Sequence, residues 1–320
     1  MIPRDAGELV DLARDGSRTA LARLLTYVES GGPAQRATAA LAYQSPSPYV
    51  VGLTGPPGAG KSTLTDQLIS VALAEGSFDG VEPFDQVGIL CIDPSSPFTG
   101  GAILGDRIRM QGHATNEHVF IRSMATRGHL GGLSLAVPDA LRVLGAAHFR
   151  LAFVETVGVG QMEVDIASSA DTTIVVTNPG WGDAMQANKA GLLEVADIFV
   201  INKADRSGVR ETRRDLEQML DLGGEHEWRP MIVETVATNG TGTEELWEAI
   251  VSHRRFLEGG RREVDRRART RAELDKVLAV MMRSRVGALA QGAAYEAQID
   301  ALVAGTTDPY RAAETLLSES

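Results

Sequence analysis

The sequence has a single cysteine, Cys91, which rules out an intrachain disulfide framework and makes a reducing, cytoplasmic setting the expectation. It has no apolar run near the ~20 residues a membrane-spanning helix requires, so a transmembrane protein is excluded. The start, Met1-Ile-Pro-Arg-Asp, lacks the layout of a secretory signal. Histidines stand at 113, 118, 129, 148, 226 and 253 with no His-x-x-x-His spacing, and one cysteine cannot form Cys-x-x-Cys, so a zinc or nickel cage is not expected. Positive charge is short as well: 31 Lys and Arg against 42 Asp and Glu give a net charge of −11. Such a surface repels nucleic acid and anionic lipid, and polyanion binding must be local. What is present suits a globular chain, 43% hydrophobic and 23% charged over 320 residues. That length fits two domain-sized units, or one large α/β domain with appended helices.

The first forty residues place Leu21, Leu24, Leu25 and Val28 at helical spacing, with Leu9 and Leu12 on an earlier turn, and Gly31-Gly32-Pro33 is expected to stop these helices. From Pro48 to about Ala237, short apolar runs alternate with helical stretches. The runs are Tyr49-Val-Val-Gly-Leu, Val87-Gly-Ile-Leu-Cys-Ile, Leu151-Ala-Phe-Val, Thr173-Ile-Val-Val-Thr, Ile198-Phe-Val-Ile and Met231-Ile-Val. Runs without polar alternation belong to strands covered on both faces, so the fold class is α/β, with a mostly parallel, doubly wound sheet flanked by helices. Beyond residue 243 the strands stop. Residues 254–285 hold eleven Lys or Arg against five acids around a stripe of Leu274, Val277, Leu278, Met281 and Met282. A nucleic-acid arm is one reading of this run; interspersed acids and scarce aromatics favour a solvated helix whose stripe packs on the core or on a partner, and the stripe suits a dimer interface. The expected organisation is an N-terminal helical segment (1–45), a central domain (46–256) and a C-terminal helical arm (257–320).

After the first strand comes Gly55-Pro56-Pro57-Gly58-Ala59-Gly60-Lys61-Ser62-Thr63, which matches the G-x-x-x-x-G-K-[ST] phosphate loop. Its glycines let backbone N–H groups turn around phosphates, Lys61 reaches the β and γ oxygens, and the Ser62 hydroxyl can hold Mg²⁺ at a helix N-terminus that favours anions. This loop defines a P-loop nucleotide triphosphatase without separating ATP from GTP. Base choice is read at Asn202-Lys203-Ala204-Asp205, at the end of a strand. A carboxylate at Asp205 accepts from N1–H and the exocyclic amine of guanine, a donor pair adenine lacks. Lys203 can lie along the base, and Asn202 can tie this loop to the phosphate loop. Downstream, Thr235-Val-Ala237-Thr238-Asn239 stands where a backbone amide could meet the guanine carbonyl.

The γ-phosphate and Mg²⁺ call for further carboxylates. Asp93, at a strand end, opens a Gly/Pro-rich stretch that runs to Gly105-Asp106-Arg107; each aspartate is either a Mg²⁺ ligand or a turn former. Glu155-Thr-Val-Gly158 is a variant of the D-x-x-G switch loop, with Gly158 able to offer its N–H to the γ-phosphate. Val159 takes the place of the water-orienting glutamine of small signalling GTPases, so slow intrinsic turnover, stimulated by a partner, is expected. The segment Asn178-Pro-Gly-Trp181-Gly-Asp183 is either a mobile loop or a plain strand-to-helix connection in which Trp181 covers apolar surface.

Together these residues resemble the MeaB/ArgK (MMAA-type) G proteins, metallochaperones linked to adenosylcobalamin-dependent methylmalonyl-CoA mutase. The resemblance rests on 55–63, 93–110, Glu155 to Gln161 and 202–205, and extends to Arg122–Gly132 and to Asp308-Pro-Tyr-Arg-Ala-Ala. It implies a central GTPase domain and a C-terminal dimerisation arm. It also implies that Ser62, Asp93, Asp106 and Glu155 belong to the Mg²⁺ and switch machinery, and that Lys189 sits in a further switch loop at about 178–190. The implied activity is GTP binding and hydrolysis that gates cofactor delivery to the mutase and protects or reactivates it. The client could equally be another acyl-CoA mutase. A transport-linked kinase or ATPase would have to tolerate ATP, against Asp205, and a nickel-insertion GTPase would carry Cys/His ligands that are missing here.

Overall fold

The computed structural model describes residues 5–80, 82–93, 112–113, 115–125, 132–156, 168–180, 195–222, 227–290 and 292–318. Three helices come first: α1 (Ala6–Arg14), α2 (Arg18–Ser30) and α3 (Gly32–Ala42). Asp5 and Ser17 cap α1 and α2 through their side chains. Gly31 ends α2 at φ 75°, yet Pro33 stands in the first turn of α3, where its missing N–H costs nothing. The Gly-Gly-Pro run therefore ends α2, as the sequence led us to expect, and starts a further helix, α3, that no apolar pattern had announced.

Among the described residues seven parallel strands follow, interleaved with helices: β1 (Tyr49–Thr54), α4 (Lys61–Glu75), β2 (Val87–Asp93), β3 (Val119–Ala125), α5 (Gly132–Ala146), β4 (Leu151–Thr156), β5 (Thr172–Thr177), β6 (Ile198–Asn202), α6 (Val209–Leu222), β7 (Met231–Thr235) and α7 (Thr243–Leu257). Their order is β3-β2-β4-β1-β5-β6-β7. Six strands were legible as apolar runs. The seventh, β3, is an edge strand whose run is broken by Arg122 and Ser123, and Arg122 pairs with Glu29 of α2.

Alternate strand residues feed opposite faces, as the two-residue side-chain period requires. On one face Val51, Leu53, Phe153, Ile174 and Val200 bury against Leu64, Leu68 and Ile69 of α4 and Leu246, Trp247 and Ile250 of α7. On the other, Val50, Leu90, Ala152 and Val154 meet Leu9, Leu21, Leu24 and Leu25 of the N-terminal helices and Leu141 and Leu144 of α5. Val175, Phe199 and Ile201 are covered by Leu216, Met219 and Leu220 of α6.

At the amino ends of the strands lies a polar chain, buried except at its last member, Asp197. Tyr49 Oη is 2.5 Å from Thr172 Oγ1, which is 2.9 Å from His253 Nδ1, and His253 Nε2 faces Asp197 Oδ1 at 3.3 Å. Burial pushes the His253 imidazole down to about 4, against the opposing pull of the Asp171 carboxylate.

The described residues divide into two compact units, Met1–Arg266 and Arg267–Ser320. Helix α8 (Arg261–Leu289) begins in the first and runs into the second, followed there by α9 (Ala293–Val303) and α10 (Pro309–Ser318). None of the α8 side chains is buried, and Leu274, Leu278, Met281 and Met282 are each more than half exposed. No described helix is long and apolar enough to cross a membrane.

Candidate functional site

In an open parallel sheet ligands meet the carboxyl ends of the strands, and here that edge collects the motifs. The 55–60 turn leaves β1, the central strand, and enters α4 with Gly60 as its N-cap at φ 95°; a glycine cap brings no side chain of its own to this end, the kind of helix N-terminus that suits an anion. Two glycines are obligatory. A Cβ at Gly55 would stand 2.1 Å from the Val176 carbonyl oxygen, and one at Gly60 2.3 Å from Asn202 Nδ2. Lys61 is buried and curls over the loop, its Nζ donating to the carbonyls of Gly55 (2.8 Å) and Pro56 (3.0 Å).

The strand register then places Glu155, near the end of β4, beside Leu53 of β1 and Cys91 of β2. Its carboxylate is buried and accepts from Ser62 Oγ at 2.6 Å and from Thr65 Oγ1 at 3.4 Å. The single Thr65 hydroxyl proton is shared with the nearer Lys61 O at 3.0 Å, one turn back in α4. Sequence reading passed over Thr65; its only signal was its place one helical turn beyond Lys61. A serine hydroxyl and a carboxylate held side by side are hard oxygen donors of the kind Mg²⁺ takes, so the residues present fit that ion.

A second loop follows β6. Asn202 is buried and spans three segments: its Nδ2 donates to Ala59 O at 2.7 Å, while its Oδ1 accepts from Thr235 Oγ1 and from the Ala237 N–H, both at 3.1 Å. The Ala237 amide is thus one of the ties between the β6 and β7 loops, and Thr238 is exposed beside it. Lys203 takes the left-handed conformation at φ 60°, uncommon for a side-chain-bearing residue, and its Nζ reaches the Gly58 carbonyl at 2.6 Å. Asp205 is exposed.

The structure therefore brings together 55–63, Glu155, 202–205 and 237–238 along one edge. Asp93 closes β2 at the same edge. Asp106, Gly158, Val159, Trp181 and Lys189 lie outside the described residues.

The family model for the methylmalonyl-CoA mutase-associated GTPase MeaB matches residues 21–291. The chain is 49% identical over 318 residues to a protein named as a GTPase in Pyrococcus abyssi, covering 98% of this chain and 96% of that one. It is 37% identical over 260 residues to the GTPase ArgK of Escherichia coli, covering 78% and 76%. It is also 37% identical over 226 residues to the fused isobutyryl-CoA mutase of Cupriavidus metallidurans, covering 70% of this chain and 20% of that protein. Among solved structures, a crystal structure of an LAO/AO transport system kinase superposes with a TM-score of 0.70 at 26% identity, covering 99% of this chain and 98% of the other. A match spanning most of the chain, on a sheet whose carboxyl edge carries a phosphate loop and an Asn-Lys-x-Asp loop, places the protein in the MeaB/ArgK family of P-loop GTPases, enzymes that bind guanine nucleotide and hydrolyse GTP.

Proposed function

We propose that the protein is a GTP-driven chaperone of an adenosylcobalamin-dependent acyl-CoA mutase, with methylmalonyl-CoA mutase as its client, gating cofactor delivery and protecting or reactivating the enzyme. One observation carries this reading: in a relative, a segment homologous to 70% of this chain is part of the same polypeptide as an isobutyryl-CoA mutase, and fusion makes physical association obligatory. The family's own description names a mutase association as well.

In this reading Gly55, Pro56, Pro57, Gly58, Ala59 and Gly60 wrap the phosphates, Lys61 neutralises the β and γ oxygens, and Thr63 completes the loop. Lys203 lies along the guanine, Asp205 accepts from its N1–H and amine, and the backbone at Ala237 and Thr238 meets its carbonyl side. Ser62 and Glu155, with Asp93 and Asp106, would hold Mg²⁺, which would supply positive charge against the charge developing in phosphoryl transfer. Water attacks the γ-phosphorus in line, the bond to the β–γ bridging oxygen breaks, and GDP and phosphate leave. Gly158 donates its N–H to the γ-phosphate and Lys189 belongs to a further switch segment. Val159 offers no group to orient the water, so turnover is slow until the client supplies or aligns one. The C-terminal helices pair two copies through the exposed Leu274–Met282 stripe of α8, in a cytoplasmic homodimer that binds neither nucleic acid nor membrane.

The test is phosphate release from GTP and from ATP, with and without a methylmalonyl-CoA mutase from the same source. Slow GTP turnover that rises with the mutase is expected. GTP turnover indifferent to it moves the client to another acyl-CoA mutase, and ATP turnover would revive the transport-linked kinase.

A further inference from the structure

Two side-chain amides converge on one backbone oxygen in the phosphate loop. Asn202 donates to the Ala59 carbonyl at 2.7 Å. One end of the Asn178 carboxamide faces two acceptors, this same oxygen at 3.1 Å and its neighbour Thr177 O at 3.2 Å, and because an amide oxygen cannot donate, that chemistry assigns its nitrogen to this side. The sheet explains the pairing: Thr177 of β5 is in register with Ile201 of β6, so Asn178 and Asn202 are the next residues at the carboxyl ends of adjacent strands. Pro179 confines Asn178 to extended backbone, fixing where its side chain departs. Beyond it the Gly180 N–H donates to Thr212 Oγ1 of α6 at 3.4 Å, anchoring the turn from the other side.

We propose that Asn178 is a positioning residue for nucleotide binding, acting with Asn202 to fix the Ala59–Gly60 peptide. In a planar trans peptide the C=O and N–H point in opposite directions. Drawing the Ala59 oxygen toward β5 and β6 turns the Gly60 N–H to the other side of the loop, where phosphate oxygens lie in the phosphate-loop reading on which this inference rests. Gly60, at φ 95°, has the rotational freedom to let that peptide flip. A flipped peptide would present a carbonyl oxygen to a phosphate, replacing attraction with repulsion.

The test titrates fluorescent mant-GDP into Asn178→Ala, Asn178→Asp, Asn202→Ala, the Asn178→Ala/Asn202→Ala pair, and Lys61→Ala as reference. Asn178→Ala is expected to bind about tenfold more weakly, ~1.4 kcal/mol. Asn178→Asp is expected to lose at least as much, because a carboxylate cannot donate. The GTP-over-ATP preference and the melting temperature of the nucleotide-free protein stay at wild-type values. The loss in the double variant departs from the product of the single losses, because both groups serve one acceptor. Wild-type affinity in both Asn178 variants, with binding lost in Lys61→Ala, overturns the positioning role and spares the phosphate loop. Binding retained in Lys61→Ala overturns the loop reading itself. A loss matched by a lower melting temperature and a shifted base preference, or strictly multiplicative losses, also overturns the proposal.

Discussion

Ser62 Oγ donates to Glu155 Oε1 at 2.6 Å, joining the first turn of α4 to the end of β4 across the sheet edge. An aspartate on the same backbone, as in the usual D-x-x-G loop, would stop one methylene short of that hydroxyl. The glutamate is therefore a length adjustment that lets β4 reach the helix directly.

If that reach serves the metal, Glu155→Asp withdraws the carboxylate and weakens the cation site. Half-maximal GTP turnover in the variant is expected to require roughly tenfold more Mg²⁺, the scale of a single lost charged oxygen contact. Phosphate release across a Mg²⁺ series reads this, and an unchanged requirement would separate Glu155 from the ion.

Asp205→Asn exchanges a charged acceptor for an amide that presents a donor to guanine's own donors. Discrimination between GTP and ATP is expected to fall by about 2–3 kcal/mol. Competition of each nucleotide against mant-GDP measures it, and continued rejection of ATP with full GTP affinity would sink the base-reading role.

Glycines of the phosphate loop differ in what a methyl group would meet. At Gly55 it would stand 2.1 Å from a backbone oxygen of β5, whereas at Gly58, with φ 76°, nothing lies within 4 Å. Gly55→Ala is expected to abolish nucleotide binding and lower the melting temperature, since β5 cannot move without the sheet. Gly58→Ala carries only the left-handed backbone cost, about 1 kcal/mol. Paired thermal melts and mant-GDP titrations check the contrast; equal effects would contradict it.

His253 ties pH to stability. Unfolded, its imidazole takes up a proton near 6.5; folded, burial delays uptake to about 4. As pH falls through that window the unfolded state binds more protons, so stability falls, by about 2 kcal/mol between pH 7 and pH 5 from this residue alone. Urea unfolding at the two pH values should show a smaller drop for His253→Gln than for wild type. An identical drop would mean the imidazole titrates normally in the fold.

Much of this was written in contiguous sequence. Six strands announced themselves as unbroken apolar runs because both faces of the sheet are covered, and the two nucleotide loops are local motifs with fixed spacing. What escaped reading is assembled across distance. β3 hides because an edge strand tolerates Arg122, whose charge is met by Glu29 far upstream. The chain from Tyr49 through Thr172 and His253 to Asp197 draws on four separate segments and leaves no pattern in any of them. Asn178 was visible as a loop residue, but its acceptor, Ala59, is named only by the pairing of β5 with β6.

Strand order also sets a timetable for biosynthesis. β1 pairs only with β4 and β5, so Tyr49 waits for Leu151 and Val51 for Thr172 to be translated. Until then the strand that launches the phosphate loop has two unsatisfied edges and an apolar surface, the kind of exposed segment that nascent-chain chaperones shield. A ribosome-bound chain that has not yet produced β5 holds the whole phosphate-loop sequence and still cannot form the cradle, so nucleotide can reward folding only after more than half of the protein has been made.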